Sequence, residues 1–382
     1  MKHILYLPSW FPSRRNPYPG DFIKRHAEAA SLYNRITVFY TAIDETIKEP
    51  ELVAEKVNEN LFVYIYYYPS VKNILSPVIN GVKRFSALRK MYNKIFTGPS
   101  PDLVHVHVAY AAGLFALYLK KRKGLKYIIS EHDGIYMPGY DNYHTPGKFE
   151  KKMVPVIYKN AKKIHTVSKS LADALINLKL ATTDPIVIPN VVNREIFKYR
   201  EKDRSGTFRF IHISSLINQK NPEGMLEAFS MVKRKRNDFV LKIIGPAKEK
   251  FKKMVKDLSL EKQVIFMGEI AYVDVAKEIN NSDAMIHFTR YETFGCVIAE
   301  SLCCGVPVIV SDLDVTKELV TDRVNGLLVI EGKANDLTDK IIFFMESGFQ
   351  INSNQVAMEN QQKFRYDRVG KMFDDLYRSV TN

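Results

Sequence analysis

Two acidic residues in the second half of the chain, Glu292 and Glu300, lie eight positions apart on either side of Gly295. An apolar strand is predicted to end at Phe288, so Glu292 falls on a short loop and Gly295 opens a helix that carries Glu300. Both carboxylates can therefore face one ligand at different depths and accept hydrogen bonds from sugar and ribose hydroxyls. Backbone N–H groups at the start of that helix can bind a diphosphate without a metal ion. Taken alone, the spacing also fits two buried acids in an ordinary salt-bridged helix.

Two other groups of residues raise the question of a metal ion. His105 and His107 alternate along a predicted buried strand and point to one face, but no third ligand lies nearby in the sequence. Cys296, Cys303 and Cys304 form an odd, clustered set that fits neither a disulfide framework nor the usual zinc spacing. We therefore predict core histidines, buried thiols in a reducing compartment and no metal site.

The charge of the chain is distributed unevenly. Residues 1–200 contain 30 Lys and Arg against 16 Asp and Glu, which accounts for the whole net charge of +14, whereas residues 201–382 contain 26 of each. This asymmetry suggests that the first half faces an anionic partner, which is a membrane surface, a phosphorylated acceptor or nucleic acid. The basic run Lys120–Lys123 lacks interleaved aromatic residues, and we expect no nucleic-acid partner.

One segment of the first half, Ile74–Phe96, has apolar residues at helical spacing and contains no Asp or Glu. Its basic residues are Lys83, Arg84, Arg89, Lys90 and Lys94. A basic amphipathic helix of this kind can lie on an anionic bilayer, and we predict that these five residues form a membrane or acceptor surface. The alternative is a helix packed on the sheet with a solvated basic face.

The elements that must position these residues alternate between strands and helices in both halves of the chain. This pattern predicts an α/β protein with two doubly wound parallel sheets, whose ligand loops lie at the carboxyl ends of the strands. A polar stretch before residue 206 places the boundary near 185–205, and we assign domains to residues 1–187 and 188–363. The ordinary apolar fraction of 46% argues against disorder. No uncharged apolar run is long enough to span a membrane, and no secretory signal is evident.

The stretch Arg290–Ile309 resembles the E-x7-E motif of the family 4 glycosyltransferases, which are retaining enzymes of the GT-B fold. Further stretches are similar to this family in the same order, over about residues 2–380: Pro19–Phe22, Asp102–His107, Ser130–His132, Ile188–Asn193, Lys220, Ile244–Pro246, Phe266–Gly268, Lys317–Val320 and Asn325–Val329. The resemblance implies two Rossmann-like domains that face a central cleft. It also implies that a helix in residues 364–382 crosses back to the N-terminal domain.

The resemblance also implies roles for single residues. Glu292, Lys220 and His132 would be the catalytic set: Glu292 would hydrogen-bond the donor sugar, Lys220 would neutralise the leaving diphosphate, and His132 would position the reacting centre. Gly20 would let the backbone of the first domain approach the diphosphate. The donor site would be completed by Ser215, Ile270, Thr293, Phe294, Gly295 and Glu300, with Glu300 on the ribose and Ile270 near the base.

This chain departs from the family at its phosphate-binding loop. The family usually has Gly-Arg-Leu ahead of its lysine, whereas this chain has a serine, Ser215, in place of the arginine. A serine offers only a neutral hydrogen-bond donor, so one phosphate cation is missing, and Arg290 or Arg209 is the candidate replacement. Asp312 and Asp314 spell the D-x-D of metal-dependent sugar transferases, but they lie where the family has a loop leading to a glutamate, here Glu318.

From these observations we expect a metal-independent, retaining glycosyltransferase without a cofactor. It would transfer a sugar from a nucleoside-diphosphate sugar to a glycan or lipid-linked acceptor in bacterial surface polysaccharide synthesis. The expected location is the cytoplasm, with peripheral contact to the inner face of the cell membrane. Two alternatives stay open at this point: a nucleotide-sugar epimerase of the same fold, and a non-catalytic binding partner, which the loss of the arginine at Ser215 would favour.

Overall fold

The computed structural model of the chain describes residues 1–70, 76–140, 147–201, 206–347, 349 and 351–381. These residues form two compact units. The first unit contains Met1–Asp133, His144–Val191 and Tyr366–Asn382, and the second contains Gly134–Tyr143 and Val192–Arg365. Each unit is built on a mainly parallel sheet with crossover helices, which confirms the predicted fold class.

The sheet of the first unit has eight strands in the order β3-β4-β2-β1-β5-β6-β7-β8. They are β1 (His3–Pro8), β2 (Arg35–Ile43), β3 (Glu51–Asn58), β4 (Leu61–Tyr68), β5 (Leu103–His107), β6 (Tyr127–Glu131), β7 (Ile164–Thr166) and β8 (Ile186–Val187). All neighbours are parallel except β3 and β4, which pair antiparallel at the edge. The strand order reverses between β1 and β5, and this switch point is where ligands of doubly wound sheets bind.

The helices of the first unit are α1 (Asp21–Ser31), α2 (Ser76–Ile95), α3 (Ala109–Lys123), α4 (Lys148–Asn160), α5 (Lys169–Asn177) and α13 (Tyr366–Thr381). The last helix packs against α1, and it buries Phe373 and Tyr377 in the core of this unit. Gly370 allows the two helices to approach closely, because a Cβ atom at this position would lie 2.1 Å from the carbonyl oxygen of Ala29. The end of the chain is therefore part of the first unit.

The sheet of the second unit has six parallel strands in the order β11-β10-β9-β12-β13-β14. They are β9 (Phe208–Ile213), β10 (Phe239–Ile244), β11 (Val264–Gly268), β12 (Ala284–His287), β13 (Val308–Ser311) and β14 (Gly326–Val329). The helices are α6 (Pro222–Lys235), α7 (Glu249–Asp257), α8 (Tyr272–Asn280), α9 (Cys296–Cys303), α10 (Asp314–Lys317), α11 (Ala334–Glu346) and α12 (Ser353–Lys363). The switch point lies between the adjacent strands β9 and β12, which places the loops after these two strands side by side.

The boundary between the units lies after Val191, four positions later than the predicted end of the first domain at residue 187. The reason is that Ile188 and Val191 bury their side chains in the first unit's core. The ring of His165 also donates a hydrogen bond to the carbonyl of Ile188. A second difference concerns Gly134–Tyr143, which belongs to the second unit because the rings of Tyr140 and Tyr291 pack edge to face.

Candidate functional site

Lys220 and Glu292 follow the two strands that flank the switch point of the second unit. Lys220 ends a short 3-10 turn after β9, and the left-handed backbone of Asn221 (φ 44°) then leads into α6, with Pro222 at its first turn. Glu292 lies on the loop after β12, and Gly295 (φ 87°) opens α9. The predicted loop-to-helix arrangement around Glu292 is therefore present, and the parallel neighbours β9 and β12 bring its carboxylate to Lys220.

The carboxylate of Glu292 accepts hydrogen bonds on both of its oxygens. Oε2 lies 2.5 Å from Nζ of Lys220 and 3.1 Å from Nε2 of His287, and Oε1 accepts the backbone N–H of Thr293 at 2.9 Å. Burial alone would raise the pKa of Glu292, but the charge of Lys220 and the bonds from His287 and Lys220 hold it well below its usual range. Burial and the charge of Lys220 lower the pKa of His287, so this ring is neutral and donates to Glu292. The cluster therefore presents one ammonium beside one fixed carboxylate.

Glu300 lies in α9 and is buried, but it belongs to a different set of contacts from Glu292. Its Oε1 accepts a hydrogen bond of 2.6 Å from the hydroxyl of Tyr272, at the start of α8. Ile270 is half-buried just before that helix, and Phe294 is buried against the ring of Phe364. The second unit thus places the predicted donor-site residues Glu300 and Ile270 next to the start of α8.

The structure decides between the two candidate replacements for the missing arginine. Ser215 is exposed at the carboxyl end of β9. Arg209 lies at the opposite end of this strand and binds Asp283 through its backbone and guanidinium, so the idea that it replaces the arginine is wrong. Arg290 lies beside the turn of Lys220, where its guanidinium donates to the carbonyl of Asn218 and, at 2.9 Å, to the amide oxygen of Asn221. Of the two candidates, Arg290 is therefore the one that lies at the turn of Lys220.

In the first unit, His132 follows β6 and is almost completely buried. Its Nε2 lies 3.3 Å from Nδ1 of His107, and the two rings stack with an interplanar angle of 16°. The preceding residue, Glu131, fixes the backbone here, since its carboxylate accepts the N–H groups of Ala109, His132 and Asp133 and the hydroxyl of Tyr158. Burial raises the pKa of Glu131, and these four bonds counter the rise.

His107 differs from the prediction of a satisfied core histidine, because its Nε2 is buried without a hydrogen-bond partner. His105 does have partners on both ring nitrogens, the hydroxyls of Tyr377 and Ser130. The structure also shows a cluster of three possible metal ligands that was not predicted from the sequence. One ring nitrogen each of His26, His107 and His132 lies within 4.8 Å of the others.

The hydrogen bonds of these three histidines determine how many lone pairs they can offer to a metal ion. Burial lowers the pKa of each ring, so each is neutral and carries one N–H and one lone pair. The Nε2 of His26 donates to the carbonyl of Pro189, which leaves one lone pair on its other nitrogen. The bond between His107 and His132 uses one of their two lone pairs and leaves one. Two lone pairs remain for three rings, so the set does not fit a three-ligand metal site while this bond is kept.

The local packing of the backbone explains why position 20, in the predicted phosphate loop, is a glycine. Gly20 adopts φ 74° before α1, and a Cβ atom here would lie 2.5 Å from the carbonyl oxygen of Trp10 and 2.9 Å from the Cα atom of Phe11. The approach of the Trp10–Phe11 backbone therefore already excludes a side chain at this position. A role of Gly20 toward a diphosphate stays a prediction.

The predicted basic surface is only partly a surface. Arg89, Lys90 and Lys94 are exposed on α2, but Lys83 and Arg84 are half-buried and turn toward the backbone, where they donate to the carbonyls of Pro69 and Pro8. Residues Ile74 and Leu75 of the predicted helix lie outside the described residues. Lys83 and Arg84 thus differ from the three exposed basic residues of α2, which packs on β2 and β4, and their part in a membrane or acceptor surface stays a prediction.

The remaining metal candidates have other partners. Lys317 binds Asp312 at 2.8 Å and approaches Asp314 at 3.8 Å, so the two carboxylates share one ammonium as a partner. Cys303 and Cys304 are buried free thiols, as predicted, whereas Cys296 is half-buried at the start of α9. Burial raises the pKa of Cys303 well above its ordinary value, which makes it unreactive.

Three residues with a clear place in these sites were not singled out from the sequence. His287 lies five positions before Glu292, at the end of a strand, and only this position in the sequence could have pointed to it. Glu131 stands between two residues of a recognised motif, but its four hydrogen bonds come from three separate elements. His26 meets His107 only because α1 packs on the sheet.

Two family models match consecutive parts of the chain. The model described as Glycosyltransferase Family 4 matches residues 27–196, and the model described as Glycosyl transferases group 1 matches residues 193–364. The chain belongs to the family 4 glycosyltransferases. This assignment confirms the resemblance found in the sequence and favours transfer over the alternative of an epimerase or a binding partner.

A curated relative is a glycosyltransferase, and two solved structures show the same fold. An uncharacterized glycosyltransferase of Methanocaldococcus jannaschii is 26% identical over 322 residues, which cover 80% of this chain and 86% of the relative. Anabaena HepE, solved in complex with UDP and glucose, superposes with a TM-score of 0.74 at 17% identity, with both chains fully covered. The lipopolysaccharide outer core galactosyltransferase WaaB, in its apo form, gives a TM-score of 0.70 at 17% identity and covers 99% of each chain.

Within the described residues, no helix combines the length and the apolar character needed to cross a bilayer.

Proposed function

We propose that this glycosyltransferase takes its sugar from a nucleoside-diphosphate sugar, retains the anomeric configuration and needs no metal ion. The observation that supports this most is the contact between Lys220 and Glu292 at the switch point of the second unit. An ammonium suits a diphosphate leaving group, and a carboxylate that stays ionised suits sugar hydroxyls. The complex of Anabaena HepE with UDP and glucose supports the same class of donor.

The chemistry requires that negative charge on the leaving diphosphate be stabilised as the glycosidic bond breaks. Lys220 supplies a full positive charge, Arg290 lies beside the same turn, and the first turn of α9 adds backbone N–H groups. When Lys220 turns toward the diphosphate, Glu292 keeps the bonds from His287 and Thr293. The remaining lone pairs of its carboxylate then accept hydrogen bonds from sugar hydroxyls.

We propose that the catalytic role expected for His132 is to contact the donor sugar. Its ring is held by His107 and its backbone by Glu131, so its orientation is defined before any ligand binds. A neutral imidazole can donate or accept a hydrogen bond from a hydroxyl without adding charge near the reacting centre. The variant His132→Ala should lower kcat while it leaves the affinity for the nucleotide unchanged.

We propose that the first unit binds the acceptor, and that this acceptor is a glycan or a lipid-linked glycan of a bacterial surface polysaccharide. The excess of positive charge in residues 1–200 supports an anionic acceptor or an anionic surface beside it. WaaB, which acts on the lipopolysaccharide outer core, supports the class of acceptor. The exposed residues Arg89, Lys90 and Lys94 would face anionic lipid headgroups from the cytoplasmic side.

A panel of nucleotide sugars tests the proposal directly. Purified protein is incubated with each donor, with and without a mixture of surface-glycan acceptors, in excess EDTA, and the released nucleoside diphosphate is measured. We expect release from one donor, stimulated by acceptor, and an anomeric proton in the product that matches the donor by NMR. Interconversion of the sugar without acceptor would identify an epimerase, and no turnover of any donor would favour a binding protein. An inverted anomer would contradict retention.

A further inference from the structure

Arg84 lies on α2 of the first unit, and its guanidinium is held away from the surface. Its Nη2 reaches the carbonyl oxygen of Pro8 at 3.4 Å, which is a long contact. Its Nε is buried and has no hydrogen-bond partner. Arg14 of the same unit differs, since it binds both Asp44 and Glu51 at 2.8 Å.

Phenol rings lie near the Arg84 guanidinium. Burial lowers the pKa of Arg84, and the titratable side chains that act on it are those of Tyr40, Tyr68 and Tyr110, whose own pKa values burial raises, so they are uncharged at neutral pH. In the described part of the chain, no Asp or Glu forms an ion pair with Arg84. Buried charges in proteins are normally paired, because an unpaired ion in a poorly hydrated place is unfavourable. Among the described residues, this cation therefore has no acidic counter-ion.

The position of this cation is where a doubly wound sheet binds its ligands. Pro8 ends β1, Tyr68 ends β4, and Tyr110 follows β5, so the guanidinium lies at the carboxyl edge of the sheet beside the β1–β5 switch point. A second polar group on the same helix is also unsatisfied: Oδ1 of Asn80, one turn before Arg84, is buried without a partner. Tyr40 accepts the backbone N–H of Phe11, which leaves the proton of its hydroxyl available to a ligand.

We propose that Arg84 binds a phosphate group carried by the acceptor. A guanidinium presents its N–H donors in a planar fork that fits two phosphate oxygens, and the tyrosine hydroxyls beside it can donate to the remaining oxygens. The inference rests on the proposed function, since it makes the first unit the acceptor-binding unit and specifies a phosphate close to the acceptor hydroxyl. Arg84 is then a residue that determines acceptor specificity and not part of the basic outer surface of α2.

The first arm of the test measures phosphate binding to the full chain by calorimetry, with methyl phosphate and inorganic phosphate as probes and no donor present. The variant Arg84→Gln is compared with Arg84→Lys and with Arg122→Gln, an exposed position on α3 of the same unit. We expect Arg84→Gln to lose one site or to weaken it at least about tenfold, and Arg84→Lys to keep part of it. Arg122→Gln should bind as the wild type does.

Thermal unfolding separates binding from a structural role. Removal of an unpaired buried cation should leave the Tm of Arg84→Gln unchanged or raise it, because the variant needs no counter-ion. If Arg84 serves only to hold the carbonyl of Pro8, the Tm of Arg84→Gln should fall and phosphate affinity should stay at the wild-type value. That pair of results would overturn the proposal, and so would equal phosphate binding by all three variants.

The second arm identifies the source of the phosphate. Vesicles of phosphatidylglycerol should bind wild type and Arg84→Gln equally, because a lipid headgroup would meet the exposed residues of α2 first. Loss of vesicle binding in Arg84→Gln with normal methyl phosphate binding would assign Arg84 to a headgroup and contradict an acceptor site. Since neither arm uses a donor sugar, failure of the nucleotide-sugar panel would refute the proposed donor and leave these phosphate results to be judged separately.

Discussion

Lys220 Nζ lies 2.5 Å from Oε2 of Glu292, although the two residues are 72 positions apart in the chain. They meet because β9 and β12 are neighbours in the sheet, and each residue follows one of these strands. The side chains are only 16% and 11% exposed, so the attraction between them is weakly screened. In the free protein each group is thus the counter-ion of the other, and under the proposed function a donor diphosphate would compete with Glu292 for Lys220.

This pairing predicts how stability and activity separate in a double-mutant cycle. Lys220→Met and Glu292→Gln should each cost about 3 kcal/mol of unfolding free energy, because each leaves a mostly buried charge without its partner. The double variant should recover most of this loss, since both charges are absent. Turnover should be low in all three variants, because each should raise the activation free energy by about 2–4 kcal/mol relative to the wild type. Urea unfolding and initial rates give the two readouts, and recovery of turnover in the double variant would contradict the assigned roles.

Much of the fold could be predicted from the alternation of apolar strands with helical segments, because strands of parallel sheets are nearly continuous apolar runs. The strand β3 was not predicted. It pairs antiparallel at the sheet edge, and its residues Glu51, Glu55 and Lys56 are exposed, so it lacks an apolar pattern. Charged residues on such an edge protect it from pairing with other chains.

Activity should survive a chelator. The carboxylates of Asp312 and Asp314 share Lys317 as a partner, and the three clustered histidines offer two lone pairs while the bond between His107 and His132 is kept. Excess EDTA should therefore change the initial rate less than twofold, as should the double variant Asp312→Asn and Asp314→Asn. Loss of activity in EDTA with recovery on adding Mn²⁺ would show that a metal site was missed.

Acid should destabilise the protein through its buried histidines. Burial lowers the pKa of His26 and His212 to about 3 and that of His165 to about 4, against about 6.5 when unfolded. Below about pH 6.5 these histidines bind protons in the unfolded chain but not in the folded protein. The free energy of unfolding is therefore highest above about pH 6.5 and falls as the pH drops toward the pKa values of the folded protein. Each histidine contributes up to about 2 kcal/mol of this loss at pH 5.

Urea midpoints at pH 7, 6 and 5 measure this effect, and the matched variant His26→Gln should show a shallower dependence on pH. The amide of glutamine can replace the N–H that His26 donates to Pro189 and does not titrate. A midpoint that is constant from pH 7 to 5 would mean that these rings are protonated in the folded protein.

The exposed basic residues of α2 predict binding to anionic vesicles. Reversal of Arg89, Lys90 and Lys94 to Glu should release the protein, because each basic residue near such a surface contributes about 1 kcal/mol. Binding of the wild type should also weaken as salt rises. Co-sedimentation with vesicles measures both effects, with reversal of three exposed lysines of α7 (Lys250, Lys252 and Lys253) in the second unit as the control. Equal binding by both triple variants would leave α2 as an ordinary solvated helix.

The candidate site was predictable where its residues lie within one motif, as for Glu292, Gly295 and Glu300. Contacts between segments distant in the chain were not. The position of His26 beside His107 follows from which strands and helices are neighbours, and spacing along the chain does not encode this. The same holds for Arg84: helical periodicity assigned it to a basic face, and only the packing of α2 shows that its guanidinium turns to Pro8.

The central claim is that Lys220 holds the diphosphate of the donor in the second unit without a metal ion, and UDP binding tests it most directly. Affinity for UDP is measured in excess EDTA for the wild type, for Lys220→Gln and for Arg209→Gln, whose side chain lies at the other end of β9 with Asp283. We predict binding by the wild type and Arg209→Gln, and a loss of at least tenfold, or about 1.4 kcal/mol, in Lys220→Gln. Equal affinity in Lys220→Gln, or wild-type binding that appears only with a divalent metal, would contradict the claim.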